Sequence, residues 1–284
     1  MRALDPEVFD TVWAAIEPLV PVGVDEHPLG CHRPRCSDRD CFEVMLVRLS
    51  TGCSWEDAER LCGNKVSDTT VRQRRDEWLV AGVFDAIAVE ATEAYDRVIG
   101  LDLGDVAVDG SLHKSPCGGE GTGRNPTDRG KLGWKWSILT DRNGIPIGWT
   151  IDGANRNDSI LLEPTLDAAA QHGLLGEVET IWLDRGYDSG ATRQRLTAHN
   201  LDDAVIAKKR VRGSPEHKKN QPMGLRWPVE RTNSWLSNFG QLRRNTDRKI
   251  THRLGQFALA VAFLLTAKLI DWRNRWSPDL SPIH

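Results

Sequence analysis

Three acidic residues stand where carboxylates could act together. Asp109 closes the apolar run VAVDG, Asp184 closes IWLD, and Glu230 lies inside RWPVERTNSW. An aspartate at a strand end often does no more than begin a turn, and a lone helical glutamate is usually a solvated charge. Three carboxylates brought to one point, by contrast, repel one another unless a cation lies between them. Hard, oxygen-seeking Mg²⁺ or Mn²⁺ suits such a donor set. Two ions about 4 Å apart can activate a water or a 3′-hydroxyl and stabilise the leaving oxygen at a phosphodiester.

The charge distribution points to the same kind of substrate. The net charge is only -3, but from Ala207 onward 16 Lys and Arg face 5 Asp and Glu. That segment carries +11 and leaves -14 for the rest. A basic terminal third implies a polyanionic partner. Lys208, Arg210, Arg226, Arg231, Arg243 and Arg244 are its candidate phosphate contacts. Arg226, four residues before Glu230, shares its helical face. His113 and Lys114 follow Asp109 closely enough to be candidates as well, with ordinary loop chemistry as the alternative.

The elements that must position these groups can be read from periodicity and caps. Val8, Phe9, Val12, Trp13 and Ile16 recur at helical spacing until Pro18 and Pro21. Ser37, Ser54 and Ser67 each open a further helix, and residues 84–99 read as another. Helix, short helix, turn and helix over 37–81 make a helix-turn-helix arrangement. The last of these helices offers Arg72, Gln73, Arg74 and Arg75, side chains that read base edges and phosphates in a major groove. An ordinary helical bundle with a charged face would look similar.

At Leu101 the pattern changes. LDLGDVAVDGS reads as a strand ending at Asp109-Gly110, and two strands around Asn143-Gly144 read as a hairpin. A helix from Asp158 to about His172 follows, then a strand ending at Asp184, a helix over 189–199 and a short strand at 203–208. Helices over 227–236 and 251–272 complete the chain. This order predicts an α/β fold, a mixed sheet with helices on both faces. If the two Asp-ending strands are neighbours, both carboxylates meet at one sheet edge, where α/β sites form. Residues 118–131, rich in Gly and basic groups but without a P-loop pattern, read as a flexible phosphate-touching loop. Trp134, Trp136, Trp149 and Trp182 read as core.

A length of 284 residues allows two modest domains, and 39% apolar with 27% charged residues excludes a disordered chain. No apolar run is expected to reach the ~18 residues of a membrane span. The acidic start MRALDPEVFDTVW lacks a secretory signal, so a soluble cytoplasmic protein without a membrane partner is expected. Six cysteines include no CxxC pair. Cys31, Cys36 and Cys41, beside His27 and His32, would permit zinc, but their spacing fits no common structural pattern, and reduced thiols are the preferred reading.

Several of these segments carry a family resemblance. TGCSWEDAERLCG and SDTTVRQRRDEWLVAGVFDAI resemble the DNA-binding helices of bacterial DDE transposases of insertion-sequence family five. VAVDGSLHKSP, LDRGYDS and RWPVERTNSWLSNFGQLRRNTDR resemble that family's two catalytic strands and its glutamate helix. The resemblance covers nearly the whole chain and places the family's D, D and E at Asp109, Asp184 and Glu230. It implies an RNase H-like catalytic domain over 100–284 behind a helix-turn-helix domain over 1–99. It also implies Mg²⁺ or Mn²⁺, two ions, held by those three acids. The partners implied are double-stranded DNA, as terminal inverted repeats and target, and a homodimer or larger assembly on it. The family's Arg four before the glutamate is matched by Arg226, whereas Met223 and Ser237 stand where the family often has Tyr and a basic residue. A metal-dependent nuclease on the same fold and a silent DNA-binding relic are the rival readings.

Overall fold

The computed structural model describes residues 2–23, 35–208 and 227–276. The first helices are α1 (Pro6–Ile16), α2 (Asp38–Thr51), α3 (Trp55–Leu61), α4 (Asp68–Val80) and α5 (Val83–Val98), the first four of them opened by side-chain caps. Ser37, Ser54 and Ser67 each accept a backbone N–H of the first turn through Oγ, at 3.2, 3.0 and 3.3 Å. Each cap satisfies a donor the helix cannot satisfy itself. α2 ends at Gly52, whose φ of +76° is the left-handed cap that glycine adopts without strain. The apolar faces meet around Phe42, which stacks on Phe9 at 5.3 Å and lies 6.3 Å from Trp78.

A mixed sheet follows: β1 (Asp105–Lys114), β2 (Gly123–Arg124), β3 (Leu132–Thr140), β4 (Pro146–Gly153), β5 (Thr180–Leu183) and β6 (Ala204–Ile206). The helices α6 (Asp158–Gln171), α7 (Gly190–Ala198) and α8 (Trp227–Leu236) accompany it. The main order is β4-β3-β1-β5-β6, with β3 antiparallel to β1 and β4. β5 is parallel to β1, and β6 to β5. This is the RNase H-like arrangement the resemblance implies. β1 runs past Asp109 to Lys114 because β3 pairs with it throughout, Lys114 facing Gly133. Residues 118–131 are not a free loop. They contain β2, which pairs with β3, and Glu120 N–H donates to the Arg248 carbonyl at 2.8 Å.

Val106, Val108, Leu139, Ile147, Leu162, Leu166, Leu183 and Leu196 form the core between α6, α7 and the sheet. The opposite face presents Trp134 and Trp136, both wholly buried. By the alternation of strand side chains, Asp109 belongs to that second face.

Two further helices, α9 (Gly240–Arg243), not read from sequence, and α10 (Ile250–Trp276), fall within the 100–284 stretch expected to belong with the sheet. The chain instead divides into a helical unit, Met1–Ile99 with Leu236–Asn245 and Thr251–His284, and a sheet unit, Gly100–Trp235 with Thr246–Ile250. The physical reason is packing. Gly240 lies against the backbone at the end of α2, where a Cβ would sit 2.3 Å from the Thr51 carbonyl oxygen. Phe263 stacks on Phe42 at 5.9 Å. α10 is long and apolar enough to cross a membrane, contrary to the expectation that no run would be. Phe257, Leu259, Val261, Phe263 and Leu265 are buried within the helical unit, as in the core helix of a globular protein.

Candidate active site

The pairing of β1 with β5 aligns the two strand acids. Asp105 faces Thr180, Val106 faces Ile181 and Ala107 faces Trp182. Two residues further along the same register, Asp109 falls level with Asp184. Residues in step on neighbouring strands, about 4.8 Å apart, point to the same face. Trp182 Nε1 donates to Asp105 Oδ1 at 2.7 Å on that face. β5 stops at Leu183, and Asp184 opens a 3-10 turn by accepting the Gly186 N–H at 2.6 Å. The neighbouring strand therefore ends beside Asp109 while β1 continues.

The helix α8 approaches this pair through Asn233. Its Nδ2 donates to Asp109 Oδ2 at 3.4 Å, and its Oδ1 accepts from Trp136 Nε1 at 2.7 Å. Glu230 is three residues earlier, on the same helical face, and is exposed. α8 is held on the β3–β4 turn: Thr232 Oγ1 donates to the Gly144 carbonyl and Arg231 to the Asn143 carbonyl. Arg231 also lies between the rings of Trp227 and Trp235, at 4.4 and 4.6 Å. Expected on phosphates, it serves instead to fasten α8.

A second group lies on the other face. Lys135, 4% exposed, donates from Nζ to Asp158 Oδ1 at 2.7 Å and to the Arg156 carbonyl at 2.9 Å. Tyr187 is wholly buried beside them. Its burial, then the charges of Asp158, Asp109 and Asp184, push its phenol well above the usual value. Asn233 and Lys135 are not among the candidates read from sequence, where Asp158 stands only as the start of a helix and Tyr187 only as a neighbour of Asp184 in the turn. Their signals, an Asn one turn after Glu230 and a Lys inside an apolar strand, are visible only in retrospect.

The other expected contacts separate by exposure. His113 does not face solvent: its ring stacks on Trp136 at 3.6 Å, Nε2 lies 2.8 Å from Ser111 Oγ, and burial lowers its pKa to about 3. Lys114 and Lys208 are exposed, as are Arg243 and Arg244 in the helical unit. Arg210 and Arg226 lie outside the described residues. On α4, Arg72 and Gln73 are exposed, but Arg74 and Arg75 turn inward. Arg74 pairs with Asp38, while Arg75 bonds Asp76 at 2.9 Å and lies 5.3 Å over Trp55. They stand one helical turn from Val71 and Trp78, on the buried face. Cys41 is buried, and that burial raises its thiol to about 11, which keeps it protonated at neutral pH. Cys31, His27 and His32 lie outside the described residues. Among the described residues, no three acid, His or Cys side chains stand close enough together to hold a metal ion. Asp109 and Asp184 are the pair that the strand register aligns, and Glu230 is the acid on the helix that Asn233 joins to Asp109.

Comparison with known proteins accords with this layout. Residues 8–88 match a family described as transposases of the IS4/5 family, and residues 100–265, more than half of the chain, match the Transposase DDE domain. A Burkholderia cepacia protein assigned as the transposase of insertion sequence element IS402 is 38% identical over 133 residues, 45% of this chain and 60% of that protein. The transposase for insertion sequence element IS1106 of Neisseria meningitidis serogroup B is 32% identical over 119 residues, 40% of this chain and 37% of its own length. The chain thus spans less than two thirds of either relative. Among solved structures, the Mos1 transposase paired-end complex aligns over 87% of this chain and 82% of its own at 12% identity, with a TM-score of 0.28, too low to bear on the fold. The Transposase DDE domain match takes in β1, β5 and α8, the elements bearing Asp109, Asp184 and Glu230, and this chain belongs to the DDE transposase family.

Proposed function

We propose that this chain is a DNA transposase that binds the ends of an insertion sequence and performs metal-dependent strand cleavage and strand transfer. The observation that carries the reading is the shared register of Asp109 and Asp184, with α8 fastened to Asp109 through Asn233. Asp109, Asp184 and Glu230 are hard oxygen donors of the kind that Mg²⁺ or Mn²⁺ takes, and they would hold two ions. Bound there, the ions supply an activated nucleophile and stabilise the leaving oxygen. The chain's own part is to hold the donors. Asn233 orients Asp109, the Gly186 N–H orients Asp184, and the hairpin contacts of Arg231 and Thr232 hold the helix that carries Glu230.

The helix-turn-helix over 37–81, with Arg72 and Gln73 outward, is the surface for reading duplex ends. Lys114, Lys208, Arg243 and Arg244 are phosphate contacts, and so by sequence are Arg210 and Arg226. The reading has the protein act in the bacterial cytoplasm as a homodimer or larger assembly on two ends and a target. The test uses duplexes carrying the sequences that flank the gene, with Mg²⁺ or Mn²⁺. Asp109→Asn should abolish nicking and joining while leaving gel-shift binding intact. Retained cleavage in this variant would sink the assignment, and cleavage without joining in the unaltered protein would make it a nuclease.

A further inference from the structure

Lys135 is a cation buried in the sheet of the unit that carries the acids. Its two hydrogen bonds go to Asp158, the first residue of α6, and to the Arg156 carbonyl just before it. Together they fix where α6 begins. Burying the Lys135 ammonium costs free energy unless it is paired, whereas the Asp158 side chain is 42% exposed and could rest in solvent. That it is held inward on the lysine calls for an account.

That account lies at Gly110, the residue after Asp109. A Cβ there would lie 2.4 Å from Asp158 Oδ1, so the Asp158 carboxylate rests directly on the bare β1 backbone. Gly110 faces Ser137 across β1–β3, and Leu112 faces Lys135, so the pair sits under the strand just where it carries Asp109. Tyr187, three residues after Asp184, is buried in the same layer with Leu162, Leu166 and Leu196.

We propose that Lys135 and Asp158 are positioning residues: held together, they brace the β1 backbone at Gly110 and so set the place of the Asp109 carboxylate for metal. This rests on the reading of Asp109, Asp184 and Glu230 as metal-holding acids. Partners behind the ligands of a metal site commonly matter 10–100-fold in affinity. Asp158 is not itself assigned as a ligand.

The test is Mn²⁺ binding to the full chain without DNA, measured by the loss of the free-ion electron paramagnetic resonance signal. In Lys135→Met/Asp158→Asn both charges go together, so no unpaired buried charge remains and the melting temperature should hold. Mn²⁺ affinity should fall by about 10-fold or more. Removing the α6–α7 ion pair with Glu163→Gln, which spares the Arg195 bond to the Ser159 carbonyl, should leave affinity unchanged. Should the double variant unfold, Asp158→Asn alone, which preserves shape at the start of α6, should show the same loss. Asp109→Asn separates the two levels of the argument. If Mn²⁺ binding does not depend on Asp109, the reading of the site fails and this inference with it. If binding depends on Asp109 but a folded Lys135/Asp158 variant binds Mn²⁺ as the unaltered chain does, the bracing role alone is overturned and the pair merely starts a helix.

Discussion

Protonating His113 should destabilise the sheet unit from within, and the size of the effect follows from its surroundings. The imidazole is 7% exposed, stacked on Trp136, and its pKa falls to about 3 from 6.5 because burial disfavours the charged ring. The unfolded chain binds a proton at His113 below about pH 6.5, whereas the folded chain does not until about pH 3. Stability contributed by the neutral ring is therefore complete above pH 6.5 and is lost as pH falls toward 3. Each pH unit within that window costs about 1.4 kcal/mol, so the loss at pH 5 is about 2 kcal/mol. The value at pH 5 does not depend on where near 3 the folded group titrates.

His113→Phe keeps a ring on Trp136 and removes the proton site. Urea unfolding of both proteins, followed by tryptophan fluorescence, isolates His113 from the carboxylates that titrate in both. Relative to the variant, the unaltered protein should lose about 2 kcal/mol between pH 7.5 and pH 5. A stability difference that stays constant over this range would refute the reasoning and put the ring in contact with water.

On α4, Arg72→Ala and Gln73→Ala should weaken binding to duplex ends without changing the melting temperature, and an Arg that reads guanine should be worth ~1–3 kcal/mol of discrimination in a gel shift. Arg74→Ala should do the reverse, costing about 1–3 kcal/mol in denaturant unfolding because it empties a buried site and leaves Asp38 to Arg35 alone, and an unchanged unfolding midpoint would contradict its burial. Gly240→Ala, whose Cβ would meet the Thr51 carbonyl at 2.3 Å, should cost about 1–3 kcal/mol as over-packing. Calorimetry would register this as a lowered transition of the helical unit, and a wild-type transition would show that the close approach of α2 and α9 is absent.

What could be read from the chain beforehand was what short-range rules govern. Ser37, Ser54 and Ser67 announce their helices because a cap is a local hydrogen bond, and Asn143-Gly144 announces its hairpin because the turn needs a residue at positive φ. Asp109 and Asp184 were legible as strand acids, though their common register depends on a pairing no local pattern encodes. Gly110 looked like the end of a strand, yet β3 carries β1 on for four more residues. Arg74 and Arg75 were read by charge, but helical phase puts them beside Val71 and Trp78. Lys135 and Asp158 are 23 residues apart, and only the folded sheet makes them partners.

The assignment of α9 and α10 to the helical unit has a consequence for synthesis. A chain leaving the ribosome makes α1 to α5 first, then the whole sheet unit, and only afterwards the helix whose Phe263 completes the stack on Phe42. Domains usually mature in the order they are made. Here the first domain to begin is the last to finish. A nascent or prematurely terminated chain carries α4 without the core that steadies it, so the surface that would read DNA becomes rigid only when the acids of the sheet unit are already in place. Completion of the helical unit thus marks a chain whose sheet unit is already made.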